Sequence, residues 1–320
     1  MIGLLAAMLL SLKAQLIYHN ADLLPLGGKI SDDTETRYER LPSYLRGVTR
    51  QPVWDLGKNT AGLYLRFASD ATTIGLKWTL YENRIMNHMT ATGIKGFDLY
   101  SYTNGKWVFV NSARPQPDAM KNEAVIVSNM KKEKREYLLY FPLYDGVTEL
   151  EIGIDSLATI SQPEPGLLTS RKPVVCYGTS ILQGGCASRA GMAHTNILVR
   201  RLNREFINLG FSGNGQLDYE IAGIMAGCDA SVFVLDFMPN VNVKQIEEKM
   251  EKFYSIIRSK APLTPILFIE NPVFPQGTFD LYMQNTVAEK NKALHKIFDT
   301  LAAKGDKNIR IISSAAIIGY

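Results

Sequence analysis

Cysteine is scarce in this chain of 320 residues, with only Cys176, Cys186 and Cys228. The number is odd, and no pair shows Cys-x-x-Cys or zinc-ligand spacing, which argues against a disulfide-stapled scaffold and a structural zinc site. Buried free thiols are the expectation, with one disulfide among the three left open. Histidine is equally sparse, at four. No cluster of His, Cys and carboxylates is spaced to hold a metal, so neither metal nor cofactor is expected. An excess of one charge is missing too, since 35 basic against 31 acidic residues leave a net charge of +4. The dense run Lys131-Lys132-Glu133-Lys134-Arg135-Glu136 mixes its signs and reads as a solvated hairpin end, so no nucleic-acid partner is implied. The apolar run from Ile2 to Leu12 is too short to span a bilayer. Followed by Lys13-Ala14-Gln15, it reads as a signal peptide over residues 1–14, although no positive charge precedes it. The expectation is a secreted or periplasmic protein without a membrane anchor.

What is present is a change of period along the chain. From about residue 50 to 155 apolar positions alternate, as in Leu63, Leu65 and Phe67, in Ile74, Leu76, Trp78 and Leu80, and in Leu150, Ile152 and Ile154. Asn104-Gly105, between Phe97-Asp98-Leu99-Tyr100 and Trp107-Val108-Phe109-Val110, signals a tight hairpin because both turn positions need positive φ. These features predict an antiparallel β-sandwich over residues 15–160. Residues 161–173, with Pro163, Pro165, Gly166 and Pro173, read as a linker. From 174 to 320 strands alternate with helices. Strands are expected at 174–177, 206–211, 231–237, 265–269 and 309–312, and helices near 192–205, 216–226, 243–260 and 280–303. Ile246, Met250, Phe253 and Ile257 share one helical face, as do Val287, Leu294, Phe298 and Leu301. This succession predicts a flavodoxin-like three-layer α/β/α domain whose ligands sit beyond the carboxyl ends of parallel strands.

Those strand ends carry Gly178-Thr179-Ser180, then Gly210-Phe211-Ser212-Gly213-Asn214-Gly215, then Asp236-Phe237-Met238-Pro239-Asn240. Acyl transfer needs a nucleophilic hydroxyl and donors aimed at a developing oxyanion. Ser180 offers the first; the backbone N–H groups of Ser180 and Gly213 and the side-chain amide of Asn240 offer the second. A plainer reading makes Ser180 a helix N-cap, Gly213 a turn glycine and Asn240 the N-cap of the 243–260 helix. Other assignments fail on spacing. Gly184-Gly185-Cys186 lacks the lysine of a phosphate loop, Gly210 to Gly215 is not spaced for a dinucleotide, and Leu182 breaks a Gly-x-Ser-x-Gly elbow.

At these blocks the sequence resembles the SGNH (GDSL-type) hydrolase family, with Thr179 in place of the usual acidic residue. Tyr177-Gly178-Thr179-Ser180, Gln183-Gly184-Gly185-Cys186-Ala187-Ser188-Arg189 and Asn208 to Gly215 are similar to a Bacteroidetes-like subgroup that carries an N-terminal β-sandwich. Asn87-His88-Met89-Thr90-Ala91-Thr92-Gly93 with Gly96-Phe97-Asp98-Leu99-Tyr100 resembles that module. The resemblance covers most of residues 40–315. It implies a serine esterase acting on acyl esters, most simply acetyl groups on a carbohydrate, with Ser180, Gly213 and Asn240 catalytic and no cofactor. The partner is a small-molecule or saccharide ester.

The family's fourth block, Asp-x-x-His after the last strand, is not found before Ile317-Ile318-Gly319-Tyr320. The expected base is therefore a histidine beyond residue 320 in a longer protein, and an uncovered sheet face is expected beside an apolar tail. Of the histidines present, His19 is expected to be disordered, His194 to pack beside the nucleophile loop and His295 to sit at a core edge. His88 lies in a segment that, in the subgroup it resembles, forms a loop able to fold over the site; the plain reading is a structural loop, and the functional one a substrate contact or substitute base. Glu270-Asn271, at the fourth strand end, is either turn or site. The alternative function is a non-catalytic glycan-binding or scaffold protein that keeps the fold.

Overall fold

The computed structural model describes residues 15–168 and 171–318; the expected leader lies outside them. The first half is built on ten strands, β1 (Leu16–Asn20), β2 (Leu26–Gly27), β3 (Tyr64–Ser69), β4 (Ile74–Leu80), β5 (Phe97–Thr103), β6 (Lys106–Ala113), β7 (Lys121–Val127), β8 (Arg135–Tyr140), β9 (Val147–Asp155) and β10 (Ile160–Ser161). They form two antiparallel sheets, in the orders β1-β9-β4-β7 and β10-β3-β8-β5-β6, with β2 on β3. Leu65, Phe67, Leu76, Trp78, Leu139 and Ile152 fill the space between the sheets, which accounts for the two-residue period. Asn104 and Gly105 turn the β5–β6 hairpin with φ of 52° and 77°. Lys131 to Lys134 lie exposed between β7 and β8.

Two short helices interrupt this half, α1 (Gln51–Gly57) and α2 (Ala91–Lys95). Contrary to the expectation of disorder, His19 is in strand, paired with Ile152 across β1 and β9. Backbone pairing along an existing edge satisfies its polar groups whatever its side chain.

The second half contains β11 (Val174–Gly178), α3 (Ser180–Gln183), α4 (His194–Leu202), β12 (Phe206–Gly210), α5 (Tyr219–Ala226), β13 (Val232–Asp236), α6 (Val243–Lys260), β14 (Ile266–Ile269), α7 (Leu281–Ala303), β15 (Ile309–Ile312) and α8 (Ser314–Ile318). All five strands are parallel in the order β12-β11-β13-β14-β15, so the switch in strand order falls at β11. Val175, Tyr177, Phe233 and Leu235 pack on one face against α5, α6 and α7 through Ile221, Met250, Phe253 and Leu294.

The two halves share a third core. Tyr64, Tyr100, Leu138 and Tyr140, on the outer face of the second sandwich sheet, pack against Cys176, Leu182, Val199 and Phe206. Strands β3 and β8 are therefore apolar on both faces. The segment between the halves is tied down as well. Arg66 donates to the carbonyls of Glu164 at 3.0 Å and Leu167 at 2.5 Å, and Leu168 is buried. Cys176, Cys186 and Cys228 are all free thiols, but contrary to the expectation of burial only Cys176 is buried, Cys228 being half-buried and Cys186 exposed.

Candidate active site

The carboxyl ends of β11, β12 and β13 meet because glycines let backbones touch. A Cβ on Gly178 would lie 2.4 Å from the Asp236 carbonyl oxygen, and one on Gly215 would lie 2.3 Å from that of Gly178. No side chain fits at such separations, so these glycines are required by close approach. Gly213 differs. Its φ is 71°, but a Cβ there would meet nothing within 4 Å, so the requirement is the left-handed backbone of an exposed turn. That turn closes through Asn214 and Gly215 N–H to Phe211 O at 2.8 and 3.1 Å, and Gly213 N–H makes no hydrogen bond among the described residues.

Ser180 is not the helix cap. Thr179 takes that position with extended backbone, and its hydroxyl accepts from Ile181 N–H at 3.3 Å. Ser180 is then the first residue of α3, half-buried, with its hydroxyl and N–H unengaged among the described residues. Nor does Asn240 cap α6, because Asn242 forms a capping box with Gln245, at 2.8 and 2.9 Å. Asn240 Oδ1 instead accepts from Gly215 N–H at 3.2 Å. Since Gly215 can only donate, the atom facing it must be oxygen, and the Asn240 amide NH₂ points elsewhere, without a partner among the described residues. The three strand ends thus present a free hydroxyl and three free N–H donor groups, a set able to hold an acyl carbonyl as it becomes an oxyanion.

No histidine bonds to Ser180. His88 is exposed, and its Nδ1 meets Asn87 Oδ1 at 2.8 Å. Its loop nevertheless borders the nucleophile segment, because Thr92 donates to Ser188 O at 2.6 Å and a Cβ on Gly93 would strike Ala187 O at 2.2 Å. His194 opens α4 with its ring accessible, and the surrounding protein lowers its pKa by desolvation. His295 Nε2 meets Glu270 Oε1 at 2.6 Å, and Glu270 Oε2 accepts from Ser314 N–H at 2.7 Å. The Glu270 pKa is lowered: burial pushes it up, but the bonds from His295 and Ser314 outweigh that together. Glu270 thus anchors the start of α8.

Asp236 ends β13, is 8% exposed and makes no side-chain hydrogen bond among the described residues. Burial pushes its pKa up to about 7. It lines an apolar groove of about 610 Å³ on the sheet face opposite α6, walled by Val174, Cys176, Val234, Leu267 and Leu198 and edged by His194 and Ile317. This is the open face expected from the sequence. Among the described residues no group of three His, Cys or carboxylate side chains is placed to hold a metal ion, and no helix is long and apolar enough to cross a membrane.

The residues that hold these loops are not assigned that role by the sequence, although Gln183 lies in one of the resembling blocks. Gln183 is fully buried, donates to Asn59 Oδ1 at 3.0 Å and Leu143 O at 3.1 Å, and accepts from Ser212 N–H at 2.9 Å. Arg40, also buried, donates to the carbonyls of Asn208 and Gly210, both at 2.9 Å. Arg50 grips Asn214 and Asp218. Tyr144 donates to Ser180 O at 3.1 Å.

Residues 171–320 match the model of the GDSL-like lipase/acylhydrolase family, and residues 16–160 match one described as the N-terminus of Esterase_SGNH_hydro-type. A crystal structure of a protein from Bacteroides ovatus ATCC 8483, assigned as a GDSL-like lipase, is 36% identical, with a TM-score of 0.89 over 93% of this chain and 87% of that one. The chain belongs to the GDSL-like lipase/acylhydrolase family. As a member of the family it is a carboxylic ester hydrolase of the SGNH type, as the three blocks imply. Two further solved structures share the fold. The salicylyl-acyltransferase SsfX3 from a tetracycline biosynthetic pathway is 16% identical, with a TM-score of 0.73 over 94% of this chain and 85% of that one. A family two carbohydrate esterase from Clostridium thermocellum, in complex with cellohexaose, is 12% identical, with a TM-score of 0.55 over 79% of this chain and 82% of that one. No curated protein matches the chain.

Proposed function

We propose that the protein is an exported serine esterase that removes small acyl groups, acetyl first among them, from a carbohydrate. Ser180 Oγ attacks the ester carbonyl. The oxyanion is held by the N–H groups of Ser180 and Gly213 and the amide NH₂ of Asn240, and the alcohol leaves before water releases the acyl group from the serine. The observation that carries this reading is the convergence of three strand ends on which the Ser180 and Gly213 N–H groups and the Asn240 NH₂ are unspent among the described residues. The carbohydrate part is favoured by the fold shared with an esterase crystallised with cellohexaose. The open, solvent-facing Gly213 turn suits a bulky alcohol and a small acyl group.

His88, on the loop that borders the nucleophile segment, is the candidate proton acceptor within this sequence. The test is turnover of 4-nitrophenyl acetate and of acetylated oligosaccharides by the full-length protein and its Ser180→Ala variant. Loss of turnover in the variant is expected, and retained turnover overturns the assignment. Saccharide binding with no ester cleavage by the wild type would instead favour a non-catalytic glycan-binding protein, for which the isolated Ser180 hydroxyl is the supporting observation.

A further inference from the structure

The loop Phe211–Asp218, which carries Gly213, is conformationally expensive. Gly213 has φ of 71° and Leu217, a branched residue, has φ of 60°. A left-handed leucine is disfavoured by the clash of its Cβ with the following carbonyl and persists only where surrounding contacts over-determine it. The contact that reaches across from the N-terminal half is Arg50, the residue before α1. Its Nε and Nη2 donate to the two carboxylate oxygens of Asp218 at 2.6 and 3.0 Å, and its Nη1 and Nη2 to Asn214 Oδ1 and O at 3.1 and 2.9 Å. One planar guanidinium thus holds the residue next to Gly213 and the last residue of the loop together.

Asp218 points to the same commitment. It occupies the N-cap position of α5 yet makes no capping hydrogen bond, because its oxygens face Arg50. A stabilising capping interaction is given up for the clamp. A lysine cannot reproduce it, since a single ammonium lacks the fork that meets a carboxylate and an amide together.

We infer that Arg50 is a positioning residue for the hydrolase reaction, fixing the Gly213 N–H where the oxyanion develops. The N-terminal module thereby supplies part of the geometry of a site whose nucleophile and oxyanion donors lie in the other half. The inference rests on the proposed role of Gly213 as an oxyanion donor.

The test compares wild type, Arg50→Ala, Arg50→Lys and Asp218→Asn in the full-length protein, by steady-state hydrolysis of 4-nitrophenyl acetate and by amide hydrogen exchange. The expected result is a fall in kcat of about tenfold to a hundredfold for both Arg50 variants with KM within about threefold, because the lost interaction acts in the transition state. Exchange should quicken in 211–218 and stay unchanged in the sandwich strands. Asp218→Asn, which keeps two of the four hydrogen-bond acceptors intact on Asn214, should fall between. Unchanged exchange in 211–218, or a loosening spread evenly over both halves, overturns the inference, as does a loosened loop with unaltered kcat. Failure of the esterase reading is separate: it appears as turnover retained in Ser180→Ala. Should the wild type show no turnover, the exchange result alone decides whether Arg50 holds the loop.

Discussion

Gly215 and Gly178 lie so close that a Cβ on the first would sit 2.3 Å from the carbonyl oxygen of the second. This contact locks the loop bearing Gly213 and Asn214 against the end of the strand that leads to Ser180. The glycine at 213, by contrast, faces open space.

Gly215→Ala should therefore force backbones apart, at a cost of about 1–3 kcal/mol, and lower esterase turnover by more than about tenfold through displaced donors. Gly213→Ala meets no atoms and bears only the strain of its φ, about 1 kcal/mol. Thermal denaturation of the two variants should rank Gly215→Ala below Gly213→Ala. The reverse order would mean that the strand ends are not held by this contact.

Asn240 spends its oxygen on Gly215 N–H and keeps its NH₂ free. Asn240→Ala should lower kcat by about a hundredfold with little change in KM. Asn240→Asp keeps the acceptor for Gly215 but turns the free donors into an oxygen. It should fold at least as well as the alanine variant and yet hydrolyse no faster. Activity in Asn240→Asp near that of wild type would remove Asn240 from the oxyanion site.

Asp236 has its pKa raised from 3.8 to about 7 by burial. The folded state therefore holds a proton that the unfolded chain releases, so stability decreases as pH rises between those values and levels off above 7. The change across the window is on the order of 4 kcal/mol at most. Asp236→Asn should flatten this contribution, so the difference in Tm between variant and wild type should grow from pH 5 to pH 8. Parallel Tm profiles would show that the carboxyl is solvated or paired in the folded protein.

Much of the parallel sheet was legible. The helix over 243–260 and the strand over 309–312 are found at the expected bounds, because Ile246, Met250, Phe253 and Ile257 face one core and no other force competes. Ser180, Gly213 and Asn240 could be singled out for a related reason, since chain order places each just past a strand. What the sequence hid is long-range. Arg40 and Arg50 are two of many charges in an irregular stretch, and their partners at Asn208, Asn214 and Asp218 are 164 to 168 residues away. No periodicity marks such a pairing. The capping roles were misplaced by one or two residues, at Thr179 and Asn242, because neighbouring polar side chains compete for the same N–H groups and only φ and ψ decide between them. His19 was misjudged because strand pairing depends on an available edge, which lies in β9 far along the chain.

The layer of Tyr64, Tyr100 and Tyr140 against Cys176, Val199 and Phe206 bears on how such a chain can be reshaped by recombination. Neither half completes this shared layer alone, so neither is a cassette to be exchanged freely. A foreign sandwich would have to bring an arginine to Asn214 and Asp218 and three large rings to α4 before the second half could close its loops. During synthesis the order is favourable, because the module that supplies the clamp leaves the ribosome first and is waiting when residues 211–218 emerge.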